Sequence, residues 1–208
     1  LLTRDWSYGY RASRIVETLA TQIGLTVDDM TTLQMNSENG FASTLAPWLS
    51  DAALRSGEVP TGAAELLESW NFDQQRDSAG AAFYNACWRH LLARTFGDEL
   101  TGDLAPDGGD RWFEVVRSLL KPRTAAWWDD TATEEVETVE DMLTAAVTDA
   151  YAELADRLGD DPGQWRWGEL HTLRLRSPTF GDSGIAPLEM LFNRGPIETS
   201  GGESIVNA

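Results

Sequence analysis

Between residues 139 and 158 the apolar positions recur with helical spacing, at Val139, Met142, Leu143, Ala146, Val147, Ala150, Tyr151, Leu154 and Leu158. Steps alternating between three and one, and closing on four, line one face of a helix, so this stretch predicts a helix with its stripe against a core. Thr138 stands where a side-chain oxygen can cap the first turn, Asp141 suits the positive end of the helix dipole, and Gly159 marks the stop. The same start signal recurs at Thr26-Val27-Asp28-Asp29, ahead of Met30, Leu33 and Gln34, and predicts a helix after Thr26. Further helices are predicted over 11–22, 41–54, 63–70, 79–96 and 110–120, separated by Gly, Pro and Asp clusters.

Beyond Pro162 the pattern changes. Leu170 and Thr172 to Arg176 read as extended, and Ser204-Ile205-Val206-Asn207 reads as a second short strand. Ser177-Pro178, Gly181-Asp182-Ser183-Gly184 and Gly201-Gly202 mark the loops between them. The predicted fold class is therefore mainly α, with a few short strands after residue 162. The predicted division is a helical domain over 1–162 and a strand-containing segment over 163–208. A strand at Ser204 would reach Ala208 with an unpaired edge, which predicts that chain continues beyond it.

Composition narrows the partners. Against 16 Lys and Arg stand 34 Asp and Glu, a formal net charge of -18, which repels phosphate backbones and anionic lipid. No nucleic-acid or membrane partner is expected. No apolar run approaches the roughly 20 residues that cross a bilayer, and Leu1-Leu2-Thr3-Arg4-Asp5 lacks the layout of a signal peptide. Nine Trp and 42% hydrophobic residues supply the material for a packed core. Cys87 is the one cysteine, so no internal disulfide forms, and its setting between Phe83 and Trp88 reads as a small buried hydrophobe. With His90 and His171 as the only histidines beside it, a zinc cage of ordinary spacing cannot be assembled, and no transition metal is expected.

Several strings could carry chemistry. Gly181-Asp182-Ser183-Gly184 spells the surroundings of the nucleophile in trypsin-like proteases, but a mostly helical chain lacks the matching His and Asp scaffold, and a Gly-rich loop is the better account. Ser118-Leu119-Leu120-Lys121 matches Ser-x-x-Lys without either companion motif, at a helix end where a lysine suits the dipole. The acidic run from Gly97 to Asp110 has oxygen ligands for calcium but misses the spacing of the helix-loop-helix pattern, and reads as a solvated loop. Trp127-Trp128 and Trp165-Arg166-Trp167 are first of all core material, with an acyl pocket as the alternative. His171 reads either as a general base or, more commonly in such a stretch, as a structurally bonded histidine. Arg11 and Arg14 share one helix face near its N-terminus, where cations oppose the dipole and call for an anionic partner or a function.

The run Trp6-Ser7-Tyr8-Gly9-Tyr10-Arg11-Ala12-Ser13-Arg14-Ile15, with Leu25-Thr26-Val27-Asp28-Asp29-Met30 and Gln34 at matching distance, resembles the β-subunit of the penicillin acylase family. Trp165-Arg166-Trp167-Gly168-Glu169-Leu170-His171-Thr172 and Phe192-Asn193-Arg194-Gly195-Pro196, then Gly201-Gly202 and Val206-Asn207, resemble later segments in the same order. The resemblance implies an N-terminal-nucleophile amidohydrolase, matured by self-cleavage of an exported precursor and hence periplasmic or secreted, that cleaves the amide of penicillins, acyl-homoserine lactones or lipopeptides. It implies that the catalytic serine, the oxyanion-hole asparagine and the family's calcium ligands lie upstream, leaving no cofactor within this chain. It also implies that residues 163–208 return to the αββα core, with the rest of the β-subunit and an α-subunit as partners. Arg11 falls on the family's active-site arginine, while Arg14 and His171 fall in motifs without a transferable role. The competing expectation is a stand-alone helical binding module that shares only ancestry with the acylases.

Overall fold

The computed structural model describes residues 6–123 and 125–207. Nine α-helices run through them: α1 (Tyr10–Thr21), α2 (Val27–Gln34), α3 (Ala42–Ser56), α4 (Thr61–Glu68), α5 (Ala79–Phe96), α6 (Asp110–Leu119), α7 (Val139–Leu158), α8 (Trp167–Leu170) and α9 (Ala186–Phe192). Two strands, β1 (Thr172–Leu175) and β2 (Arg194–Glu198), pair antiparallel, and the described residues are mainly helical.

The capping signals hold in atomic detail. Thr138 accepts from the Asp141 amide while the Asp141 carboxylate accepts from the Thr138 amide at 2.9 Å, and Thr26 and Asp29 form the same reciprocal box. Each box satisfies two amides that the first helical turn would otherwise leave unpaired. The predicted stripe of α7 is buried at Val139, Met142, Leu143, Ala146, Val147, Ala150 and Leu154. It packs on α5, whose Phe83, Tyr84, Cys87, Leu91 and Phe96 are also buried, and on α3, which in turn packs on α4. Burial pushes the Cys87 thiol well above its ordinary pKa, which suits packing rather than nucleophilic chemistry. Trp128 and Trp165 lie in this core, their indole N-H groups donating to the carbonyls of Leu119 and Gly159.

A charged cluster joins α5 to α7 at the core's edge. Glu153 on α7 accepts from Arg89, from His90 at 2.8 Å and from Arg157 at 2.7 Å, and Arg94 meets Asp149 at 2.6 Å. Burial alone would raise the Glu153 carboxyl, but donation from Arg89, Arg157 and His90 outweighs it and brings the pKa from 4.5 down to about 2. A carboxyl whose pKa is lower when folded stabilises the fold above its unfolded value, and that contribution is lost as pH falls from 4.5 to about 2. Urea midpoints should therefore decline across this window, and Glu153→Gln should flatten the decline. An unchanged slope in the variant would place the acid sensitivity elsewhere.

The last quarter differs from expectation in detail. The segment around Leu170 opens as a helical turn, α8, and only Thr172–Leu175 is extended. The strand expected at Ser204–Asn207 is absent; that stretch is a turn. Ser204 has φ 60, Gly201 φ 86 and Gly202 φ 158, which curl the backbone until the Gly202 amide donates to the Asn207 carbonyl at 3.3 Å. The Asn207 amide donates to Asn36 at 3.0 Å, tying the turn to the chain after α2. The strand that pairs with β1 is instead Arg194–Glu198, in register Thr172 with Glu198 and Leu173 with Ile197, with an irregularity before Leu175 meets Arg194. Every residue of β1 is exposed, and with α9 the hairpin presents Leu173, Leu175, Met190, Leu191 and Ile197 to solvent, Met190 at 79%.

Candidate functional site

Helix α1 brings the two arginines singled out by sequence to one side of the molecule. The Arg11 Nε donates to the Ile205 carbonyl at 2.7 Å, so the C-terminal turn, rather than a carboxylate, takes this side chain. Among the described residues no carboxylate pairs with Arg11, and none of them bonds its two terminal nitrogens. Arg14 behaves differently. Its guanidinium meets Glu38 at 2.8 Å and Glu17 at 3.5 Å, and its Nε reaches the Asn36 side chain at 3.4 Å. Among the described residues, the anionic partner that a cation near a helix start calls for is thus supplied to Arg14 but not to Arg11.

Both arginines line a cleft of about 270 Å³ with Tyr10, Glu38, Ser204 and Ile205. A second cleft of about 360 Å³ carries Arg11 with Ser7, Asp110, Glu203 and Ser204. Arg11 therefore stands between two openings, anchored through its Nε. A guanidinium held this way can donate to a developing oxyanion or to a carbonyl brought beside it.

Tyr10 anchors the start of α1. Its hydroxyl donates to Glu114 and accepts from Arg117 Nη2 at 2.7 Å, while Arg117 also donates to Glu114 at 3.1 Å and to Thr44 at 3.1 Å. Burial first, and then the bond to Glu114, push the Tyr10 hydroxyl from 10.0 to about 12 against the opposing pull of Arg117. The group stays a neutral donor across the working pH range. Sequence reading missed this cluster, because Tyr10 and Arg117 stand 107 positions apart and neither belongs to a motif that names the other.

His171 lies apart from this arrangement in its bonding. Its ring stacks on Trp167 with centroids 4.8 Å apart and planes 6° from parallel, and its Nδ1 faces the Thr199 carbonyl at 3.2 Å and hydroxyl at 2.9 Å. That is a histidine bonded to hold β2 against the end of α8. With Trp88, Leu92, Leu100, Trp167 and Glu203 it lines a cavity of about 840 Å³. Ser183 is exposed and its hydroxyl accepts from the Ile185 amide at 3.2 Å, inside a turn where Asp182 pairs with Arg176. No triad geometry surrounds it among the described residues. The Ser118 hydroxyl likewise turns back onto the Val115 carbonyl at 2.7 Å. Among the described residues no group of three or more His, Cys, Asp or Glu side chains is arranged to hold a metal ion. No helix among them is long and apolar enough to cross a membrane.

Comparison with known proteins agrees with the family resemblance. Acyl-homoserine lactone acylase QuiP of Pseudomonas putida is 26% identical over 225 positions, covering 96% of this chain and 26% of the relative. The proteins of that name from Pseudomonas aeruginosa and Pseudomonas syringae pv. syringae are 24% and 25% identical, covering 96% and 99% of this chain and 27% of each relative. The chain thus spans about a quarter of the length of these curated relatives. The family profile described as Penicillin amidase matches residues 1–208, the whole of it, and the chain belongs to the penicillin amidase family.

Proposed function

We propose that this chain is the mostly helical part of the β-subunit of an N-acyl amide hydrolase, acting through an N-terminal serine that lies outside residues 1–208. The family match along the whole chain carries the reading. Its relatives are named as acyl-homoserine lactone acylases, which makes an N-acyl-homoserine lactone the first substrate to test and a penicillin the second.

In this reading the serine hydroxyl attacks the amide carbonyl and its own α-amine accepts the proton. The tetrahedral oxyanion collapses to expel the amine, which takes that proton, and water then hydrolyses the acyl-enzyme. Arg11 contributes positive charge near the reacting centre, holding catalytic groups in place or stabilising the oxyanion. Two features support that role: the terminal nitrogens of Arg11, which no described residue engages, and its seat between two clefts. Calcium, where the family uses it, would by the same resemblance be held by residues upstream of this segment.

The helical domain over 1–162 supplies scaffold and Arg11, and residues 163–208 lead back toward the αββα core of the parent enzyme. Supporting that docking, both strands of the β1–β2 hairpin are almost wholly exposed, and α9 beside it turns Met190, Leu191 and Phe192 outward. Large apolar side chains exposed together on one hairpin and helix call for a cover, which the remaining β-subunit and the α-subunit would provide. Export to the periplasm or medium follows from the same family reading.

The test is hydrolysis by the full-length, matured protein. It should release free homoserine lactone from an N-acyl-homoserine lactone, or the amine from a penicillin or an N-acyl chromogenic amide. Replacing the serine at the self-cleavage junction by alanine should abolish release, and Ser183→Ala should leave it unchanged. Absence of amide cleavage on all three substrates, or loss of it in Ser183→Ala, would overturn the reading.

A further inference from the structure

Helix α1 has no fully buried residue, unlike α3, α5 and α7, and meets the core through the half-buried Tyr10 ring. The polar bonds that tie its start to α6 come from one face of that helix. Asp110 accepts from the Ser7 hydroxyl at 2.7 Å and from the Tyr8 amide at 2.9 Å. One turn on, Glu114 accepts from the Tyr10 hydroxyl, and a further turn on Arg117 donates to that hydroxyl at 2.7 Å. Positions 110, 114 and 117 follow the i, i+4, i+7 spacing of a single helix face. The platform is itself rigid: the Tyr10 ring stands edge-on to buried Phe113 at 5.4 Å, and the Arg117 guanidinium lies over buried Phe41 at 5.3 Å.

We propose that Tyr10, Glu114 and Arg117 form a positioning clamp that fixes the first turn of α1 and thereby aims the Arg11 guanidinium. The inference rests on the proposed role of Arg11 and deepens it. Arg11 follows Tyr10 directly, so any rotation of the first turn swings its long side chain, which among the described residues is tethered by the Ile205 carbonyl. Misplacement by about an ångström at a reacting centre is enough to cost rate steeply. The chemistry of the clamp suits the task. Tyr10 both donates and accepts, so its hydroxyl is held on two sides, and Arg117 ties the carboxylate, the phenol and Thr44 together.

The decisive measurement is a double-mutant cycle in the full-length, matured enzyme, with an N-acyl chromogenic amide as probe. Tyr10→Phe removes the hydroxyl and keeps the ring against Phe113. It should lower kcat about tenfold with KM nearly unchanged, as expected for a lost hydrogen bond to charged partners. In the Arg11→Ala background the same change should cost nothing further, because the clamp acts through Arg11. Glu114→Gln, which keeps an acceptor but removes the charge, should show a smaller loss with the same dependence on Arg11, and serves if Tyr10→Phe folds poorly. Full kcat in both variants, equal fold losses with and without Arg11, or a change confined to thermal stability would overturn the clamp. If Arg11→Ala is itself silent, the role of Arg11 fails and the clamp with it. If Arg11→Ala is costly and Tyr10→Phe is not, the clamp fails alone.

Discussion

Arg11→Ala in the matured, full-length enzyme should lower turnover by about a hundred- to a thousandfold, the range seen when a single oxyanion-hole donor is removed. In free energy that is about 3 to 4 kcal/mol of transition-state stabilisation. The expectation rests on the contrast between two neighbouring arginines. Arg14 is spent on Glu38, Glu17 and Asn36, and its removal should loosen the joint between α1 and the chain after α2 while leaving the chemistry intact. Among the described residues Arg11 is held at Nε alone, and a guanidinium fixed at one nitrogen keeps its remaining donors in a known plane for a second partner. Arg11→Lys should recover only part of the loss, since an ammonium can reach either the Ile205 carbonyl or the reacting group but lacks the planar fork that serves both. A surface arginine without function would instead cost less than about 1 kcal/mol of stability and almost no rate. Steady-state kinetics on the folded variants separates these outcomes. Near-wild-type turnover in Arg11→Ala, or collapse in Arg14→Ala alone, would remove Arg11 from the active site.

How far such a site can be read from sequence depends on the range of the interactions that build it. The α7 helix is legible because its cap at Thr138, its stripe from Val139 to Leu158 and its stop at Gly159 are all local. The proposal for Arg11 comes from a local motif. The clamp beneath it is not legible, because Tyr10 meets Glu114 and Arg117 across more than a hundred residues and nothing in their neighbourhoods announces a partner. The errors in the last quarter have the same origin. Ile205-Val206 looks like strand material, yet positive φ at Gly201, Gly202 and Ser204 decides the turn, and the partners that fix it are Gln74 and Asn36. Conversely, Arg194–Glu198 escapes a pattern-based reading because Gly195-Pro196 weakens any strand signal, although it is the segment that pairs with β1. The Trp165-Arg166-Trp167 string divides between roles: Trp165 joins Phe83 and Tyr151 in the core, while Trp167 stacks on His171 at the cavity wall.

That C-terminal turn should also be the most sensitive backbone site in the chain, and Gly201→Ala should cost about 3 to 5 kcal/mol. Gly201 has φ 86, where an L side chain adds about 1 to 3 kcal/mol of strain whatever space surrounds it. Here there is none. A Cβ would stand 1.6 Å from the Asn207 carbonyl oxygen, so the turn must open. Opening it endangers three bonds at once: the Gly201 amide to Gln74 at 2.8 Å, Trp167 to the Gly201 carbonyl at 2.9 Å, and Gly202 to Asn207 at 3.3 Å. Gly184 isolates the conformational part, because it has a similar φ of 73 and a Cβ added there would meet no atom within 4 Å. Gly184→Ala should therefore cost only the backbone strain, about 1 to 2 kcal/mol. Urea unfolding of the two variants should show Gly201→Ala well below Gly184→Ala; equal midpoints would mean that the turn yields without loss. Turnover gives the second reading. Because the Ile205 carbonyl that anchors Arg11 lies inside this turn, Gly201→Ala should lose rate even at temperatures where it remains folded, whereas Gly184→Ala should not.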